Sequence, residues 1–582
     1  MKKFFRQLLA TFISTLACLV ILPAALFAVL LFFAASLAEK TGAGAFDAEN
    51  IDEEAPVALL NISRPIIEGA EEARLSLNFS GRLALSEPIS TFQICRYIRA
   101  EADLRDTTKA LLIYGKLPED VSLAQVEEMR AAIEYFASKK RVVAYLENPT
   151  QKEYYLASAA SEIALNPASD FTFKGIAATP VFFGDAFKKY GVEAQVIKSG
   201  AHKNFGYIFT ENRLSPEDKQ LLEGILKSIW QDISQKISKS RKMPLENLRQ
   251  AAEQTPLMSA EDAVRRGFAD ELLYADELAA KLAAEYGADG KSFRRKPLSR
   301  IDPLGGGSIA IVYMAGDIVE GSHSNAIDTN RYVPLLKELR LDKRINAIVL
   351  RIDSGGGSAY ASEILRREIE LAAREKPVVV SMGGACASGA YWLAAPAAKT
   401  FADGATITGS IGVVSVLFSG KKFAADWGVT FDAAKTSPYA DIFSGARPAT
   451  PDELAIMRPL LEKIYGKFVQ IVADARKMPL QDAQKLADGR VFTGLQAAAL
   501  GLADARGGVI DAVECAKKLA KLEDFCVEQF PQTNPFKEML GLAENSDIFA
   551  KYPALKRLLK LAEKPRLKSG FQAKMPFSIK ID

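Results

Sequence analysis

Ser388 stands in Gly383-Gly384-Ala385-Cys386-Ala387-Ser388-Gly389-Ala390-Tyr391-Trp392, among residues too small to cover its hydroxyl. The apolar run Pro377–Ser381 before it has strand character, and the Ala-rich residues after it favour a helix. A serine at such a junction is either a presented nucleophile or simply the N-cap of the helix. A second glycine turn, Arg351-Ile352-Asp353-Ser354-Gly355-Gly356-Gly357-Ser358, ends another apolar run, Ile345–Ile352. Its glycines permit positive φ and turn bare N–H groups outward, which suits an oxyanion hole beside the serine. Neither turn carries the G-x-x-x-x-G-K-[ST] pattern of a phosphate loop.

Partners for that serine are few. The chain has only two histidines, His202 and His323, so a Ser-His-Asp site must use one of them, and a multi-histidine metal site is almost excluded. Cys386, two residues before Ser388, is a rival nucleophile or a small buried thiol. The five cysteines (Cys18, Cys95, Cys386, Cys515, Cys526) are scattered and include no C-x-x-C pair, which argues against a disulfide framework or zinc ribbon. Neither a metal nor a cofactor is called for. A net charge of +3 with 25% charged residues gives no nucleic-acid signature.

The elements that position these residues follow from the apolar pattern. Lys2, Lys3 and Arg6 precede an uncharged run, Leu8–Ala38, which as a helix is about 45 Å long, enough to span a bilayer. It is longer than the apolar core of a cleaved signal peptide and reads as a single N-terminal transmembrane anchor, with Ala34-Ala35-Ser36 as the alternative cleavage site. The basic end lies in the cytoplasm and everything after Glu39 outside it. Pro377–Ala398 also lacks charge, but its Gly and Ala content marks a buried core and not a second span.

Beyond the anchor the chain repeats itself. Val57-Ala58-Leu59-Leu60 with Ile66-Ile67-Glu68-Gly69 is echoed by Ile309-Ala310-Ile311-Val312 with Ile318-Val319-Glu320-Gly321. Tyr154 and Tyr391, and Gly191 and Gly428, are each 237 positions apart, so the register between them needs no gap. Each copy alternates apolar strands with amphipathic helices, the pattern of α/β units with largely parallel sheet. The chain therefore divides into 1–45 (cytoplasmic end, anchor and start of a linker), 46–300, 301–545 and a basic tail, 546–582, expected to be a solvated face. In the first copy the position of Ser388 is taken by Gln151, and Tyr114-Gly115-Lys116-Leu117-Pro118 replaces the triple-glycine turn.

Together the anchor, the tandem α/β repeat, R-I-D-S-x-G-G-S (351–358), A-C-A-S-G-A-Y-W (385–392) and Thr408-Gly409-Ser410-Ile411-Gly412 resemble the long form of the signal peptide peptidase A family. That resemblance implies a membrane-anchored bacterial serine protease made of two Clp/crotonase-like (ββα superhelix) domains. It departs from the family at Gly355, where a proline is usual. The family uses a lysine as general base. In the short, single-repeat form this lysine follows the serine at a position similar to Ala440 here, and the long form takes it from the first repeat. The matching residue is Lys203, in Ile197-Lys198-Ser199-Gly200-Ala201-His202-Lys203-Asn204-Phe205, with Lys198 and His202 as rival bases. A Lys203 base needs a depressed pKa, which burial near Phe205, Tyr207, Ile208 and Phe209 can supply.

By the same resemblance Ser410 orients the lysine amine, and the N–H groups of Gly356 and Gly389 form the oxyanion hole, with Gly357 as the alternative to Gly356. The implied partners are peptide substrates (cleaved signal peptides and other membrane-associated peptides) and three further copies in a homotetramer. The implied location is the cytoplasmic membrane, with the catalytic domains on its outer side. Two other readings fit the same fold: a crotonase-like acyl-CoA enzyme, and a non-catalytic membrane scaffold.

Overall fold

The computed structural model describes residues 55–69, 88–287 apart from 105, 306–531 apart from 324, and the strands 74–77, 83–86, 294–295 and 571–574. The expected anchor lies outside the described residues. Within them no helix is long and apolar enough to cross a membrane. Pro377–Ala398 forms the strand Val378–Ala387 and the short helix Gly389–Ala394, mostly buried, as its composition suggests.

Each half builds its own sheet. In the first, the parallel strands Glu162–Leu165, Arg141–Leu146, Ala110–Tyr114 and Val57–Asn61 lie side by side. They are near-continuous apolar runs because helices cover both faces, as parallel sheets require. The helices Thr91–Asp103 and Leu123–Ala137 begin at capping boxes, Ser90 with Gln93 and Ser122 with Gln125. In the second half the order is Val491–Thr493, Ile407–Gly409, Val378–Ala387, Ile345–Ser354, Ser308–Ala315 and Cys526–Phe530. All neighbours there are parallel except Val491–Thr493, which runs antiparallel to Ile407–Gly409.

The duplication extends to the longest helices. Pro216–Arg241 and Pro451–Arg476 each have 26 residues, a hydroxyl N-cap (Ser215, Thr450), proline at the start and a left-handed lysine at the C-cap (Lys242, Lys477).

A third sheet joins the halves. Strand Glu193–Ser199 of the first half pairs antiparallel with Val413–Ser419 of the second, from Glu193 opposite Ser419 to Ser199 opposite Val413. The sheet continues through Phe571–Lys574, Gly356–Ser358, Ile318–Val319 and Ile327–Asp328. The basic run of the tail, Lys556 to Lys568, lies outside the described residues, while Phe571–Lys574 beyond it is described. This segment supplies a strand antiparallel to both Val413–Ser419 and the glycine turn, with Lys574 opposite Gly356 and Ala573 opposite Gly357. Phe571 and Ala573 bracket polar Gln572, an alternation that suits a strand and is too short to stand out from a basic stretch.

Candidate active site

Strand Val378–Ala387 delivers Ser388 to the start of helix Gly389–Ala394 with φ 58° and ψ −117°. For a non-glycine residue that conformation costs about 1–3 kcal/mol, and it is held by the Ser388 N–H donating to the Gly409 carbonyl at 2.7 Å. The Ser388 side chain makes no capping bond to its helix. Its hydroxyl is instead 2.6 Å from Lys203 Nζ. The side chain thus caps nothing and meets an amine instead.

Lys203 comes from the other half, four residues after Glu193–Ser199 ends. It is fully buried, and burial alone holds its amine well below the usual lysine range. The Nζ also lies 2.8 Å from the Ser410 carbonyl and 3.0 Å from the Ser410 hydroxyl. A neutral amine has two N–H bonds and one lone pair. With both N–H groups donated to Ser410, the lone pair is left for the Ser388 O–H, the arrangement a general base needs. Ser410 is fixed in turn, with φ 50° and its N–H donating to the Arg490 carbonyl at 2.7 Å.

The rivals are accounted for. Cys386 is fully buried, and burial pushes its thiol far up, opposite to what a nucleophilic thiolate needs. Lys198 turns away: its Nζ donates to the Ala201 carbonyl at 2.7 Å and to Asn204, and lies over the Tyr207 ring. His202 faces Asp488 at 3.9 Å. Of the expected oxyanion donors, Gly389 opens its helix, so its N–H is one of the first-turn donors without an intrahelical acceptor. The Gly356 N–H donates to Ser354 Oγ at 3.1 Å. Gly357 is packed against strand Ile318–Val319, where a β-carbon would come 2.1 Å from the Ile318 carbonyl oxygen.

One wall of the site was not foreseen. Asp488-Gly489-Arg490 backs the lysine loop: the His202 N–H donates to the Asp488 carbonyl at 2.7 Å. A β-carbon on Gly489, at φ +94°, would come 2.5 Å from the Lys203 nitrogen. A glycine between two charged residues just before a strand is a common turn signal, and nothing in it points to a partner nearly 290 residues earlier.

Comparison with known proteins gives the class, a serine protease. The chain matches the model of Peptidase family S49 twice, over residues 134–289 and 370–523, once in each half, and it belongs to that family. Among curated proteins it is 32% identical to Protease 4 of Salmonella typhi over 456 residues, covering 76% of this chain and 74% of that one. It is 30% identical to Protease 4 of Haemophilus influenzae (77% and 76% covered) and 31% identical to the chloroplastic serine protease SPPA of Arabidopsis thaliana (70% and 62% covered).

Proposed function

We propose that the protein is a membrane-anchored serine endopeptidase with a Ser-Lys dyad. Ser388 is the nucleophile, Lys203 the general base, Ser410 the residue that orients the amine, and the Gly356 and Gly389 N–H groups the oxyanion hole. The reading is carried by one observation, a fully buried lysine amine 2.6 Å from a serine hydroxyl that caps nothing. Lys203 removes the proton as Ser388 attacks a peptide carbonyl, then passes it to the leaving amine. It activates the water that hydrolyses the acyl-enzyme. The Gly356 N–H, held by Ser354, must exchange that acceptor for the oxyanion as negative charge develops.

Extended peptides fit this reading. The strand Phe571–Lys574 runs antiparallel between the glycine turn and Val413–Ser419, a lane that offers main-chain bonds on both sides. The substrates are cleaved signal peptides and other membrane-associated peptides. Residues 1–45 hold the anchor, 46–300 form the domain that supplies the lysine, and 301–545 form the domain that supplies the serine. Residues 546–582 are a tail, and four copies assemble on the outer side of the bacterial cytoplasmic membrane.

A serine-directed fluorophosphonate probe tests the dyad. Labelling is expected in the wild type and lost in both Ser388→Ala and Lys203→Ala. Persistent labelling in either variant removes the proposed pair.

A further inference from the structure

Between the two strands that carry the glycine turns the ladder breaks. Ile352 pairs with Met382 and Ser354 with Cys386, so Gly383, Gly384 and Ala385 all stand opposite Asp353. A bulge of this kind leaves N–H groups without strand partners, and it ends three residues before Ser388. Asp353 supplies the missing acceptor. Its Oδ1 takes the Ala385 N–H at 2.8 Å, and the Gly384 N–H faces the same carboxylate. The arch is also closed in by packing: a β-carbon would come 2.8 Å from Asp353 Cβ at Gly383, and 2.7 Å from Ser122 Cβ, of the first half, at Gly384.

Two residues before Asp353, Arg351 is buried with its guanidinium turned to the first half. Its Nε lies 2.8 Å and its Nη2 2.5 Å from the two Glu68 oxygens, and Nη2 is 2.6 Å from Glu128 Oε1. Its Nη1 donates to Ser381 Oγ at 2.8 Å, on the strand that leads to Ser388. Both glutamates come from the first half, and Glu128 also accepts the Val509 N–H of the second half at 2.5 Å.

We propose that Asp353 is a positioning residue for Ser388, pinning the 383–385 arch, and that Glu68 and Glu128 lock the adjoining Arg351 across the junction of the halves. The first half then contributes a charge lock as well as a lysine. This rests on Ser388 and Lys203 being the reacting pair. The groups acting on Asp353 are Glu68 and Arg351, with the Cys386 thiol on the facing strand. Burial and then Glu68 push its carboxyl up to about 6, against the Ala385 N–H and Arg351. Ionised above that pH, it is the stronger acceptor for the arch; below it, the proton weakens the pin.

The test uses the full-length protein, an internally quenched peptide and the fluorophosphonate probe. Asp353→Ala is expected to lower kcat about tenfold to a hundredfold, with KM within about threefold, because a misplacement near 1 Å already costs that much. Asp353→Asn keeps an acceptor oxygen but not the charge, so it mimics the protonated acid, and kcat at pH 8 is expected to fall about threefold to tenfold, between wild type and Asp353→Ala. In the wild type kcat/KM carries, beside the Lys203 limb, a step of that same size as Asp353 takes up a proton near pH 6. In Asp353→Asn that step is absent and the Lys203 limb alone remains. Glu68→Gln removes a negative neighbour and moves the Asp353 limb to lower pH.

A kcat for Asp353→Ala within about twofold of wild type, or the step near pH 6 persisting in Asp353→Asn, overturns the positioning role. If Asp353→Ala does not fold, the pH profile of Asp353→Asn decides alone. An unmoved limb in Glu68→Gln overturns the control from the first half. Retained labelling in Ser388→Ala or Lys203→Ala overturns the dyad itself, so the two failures are distinct.

Discussion

In the first half, at the position equivalent to Ser388, the buried Gln151 side chain closes on its own domain. Its Oε1 accepts the Lys174 and Gly175 N–H groups at 3.0 and 2.8 Å, and its Nε2 donates to the Gly175 carbonyl at 3.2 Å. In the second half the equivalent of Gly175 is Gly412, and there a β-carbon would come 3.2 Å from Lys203 Cδ. One copy spends the position on a local clamp, while the other leaves it open for a lysine brought in from outside. Ala440, the equivalent of Lys203, is exposed, so a lysine there would have no burial to depress its pKa. The comparison teaches that a duplicated fold keeps its scaffold while equivalent positions take different side chains and different partners. A clamp needs only short-range bonds, whereas a low-pKa amine needs a dry place between two bodies.

Three substitutions sharpen or break that contrast. The largest effect is expected from Lys203→Arg, which keeps the charge but never yields a free base. Peptide hydrolysis should fall by about 10³ or more, read as kcat, and retained turnover would mean that proton removal lies elsewhere. Next is Gly489→Ala. Its methyl group meets the Lys203 backbone at a strained φ, and kcat should drop about tenfold to a hundredfold with the fold intact by circular dichroism. A wild-type rate there would show that the lysine loop does not depend on this wall. The smallest effect on catalysis is expected at Gln151→Ala. The Lys174 and Gly175 N–H groups lose their acceptor, costing about 1–3 kcal/mol by urea unfolding, with kcat within about twofold. A large fall in kcat would contradict the purely local role of the glutamine.

Much of this was legible in the residues. The run Ile345–Ile352 reads as a buried strand despite Asn346 and Arg351, and it is one, parallel to both its neighbours. The constant separation of Tyr154 from Tyr391 and of Gly191 from Gly428 exposed the tandem, and the same register singled out Lys203 over Lys198 once the family's lysine base was considered. Three features were hidden. The pairing of Glu193–Ser199 with Val413–Ser419 joins strands more than 200 residues apart, and neither run names its partner. The Asp488–Arg490 wall resembles any surface turn. Arg351 belongs to a motif read for its glycines, while its counter-ions, Glu68 and Glu128, lie in another domain.

The sequence by itself determined which side chains exist and how they repeat: a serine in one copy, a lysine in the other, and glutamine and alanine in the vacated places. Tertiary structure alone decided that Lys203 and Ser388, 185 residues apart in the chain, approach to 2.6 Å. It also decided that the lysine amine is shifted far from its ordinary ionisation. The physical reason is that a lysine's basicity depends on the water around it, and only the packed junction of the halves removes that water.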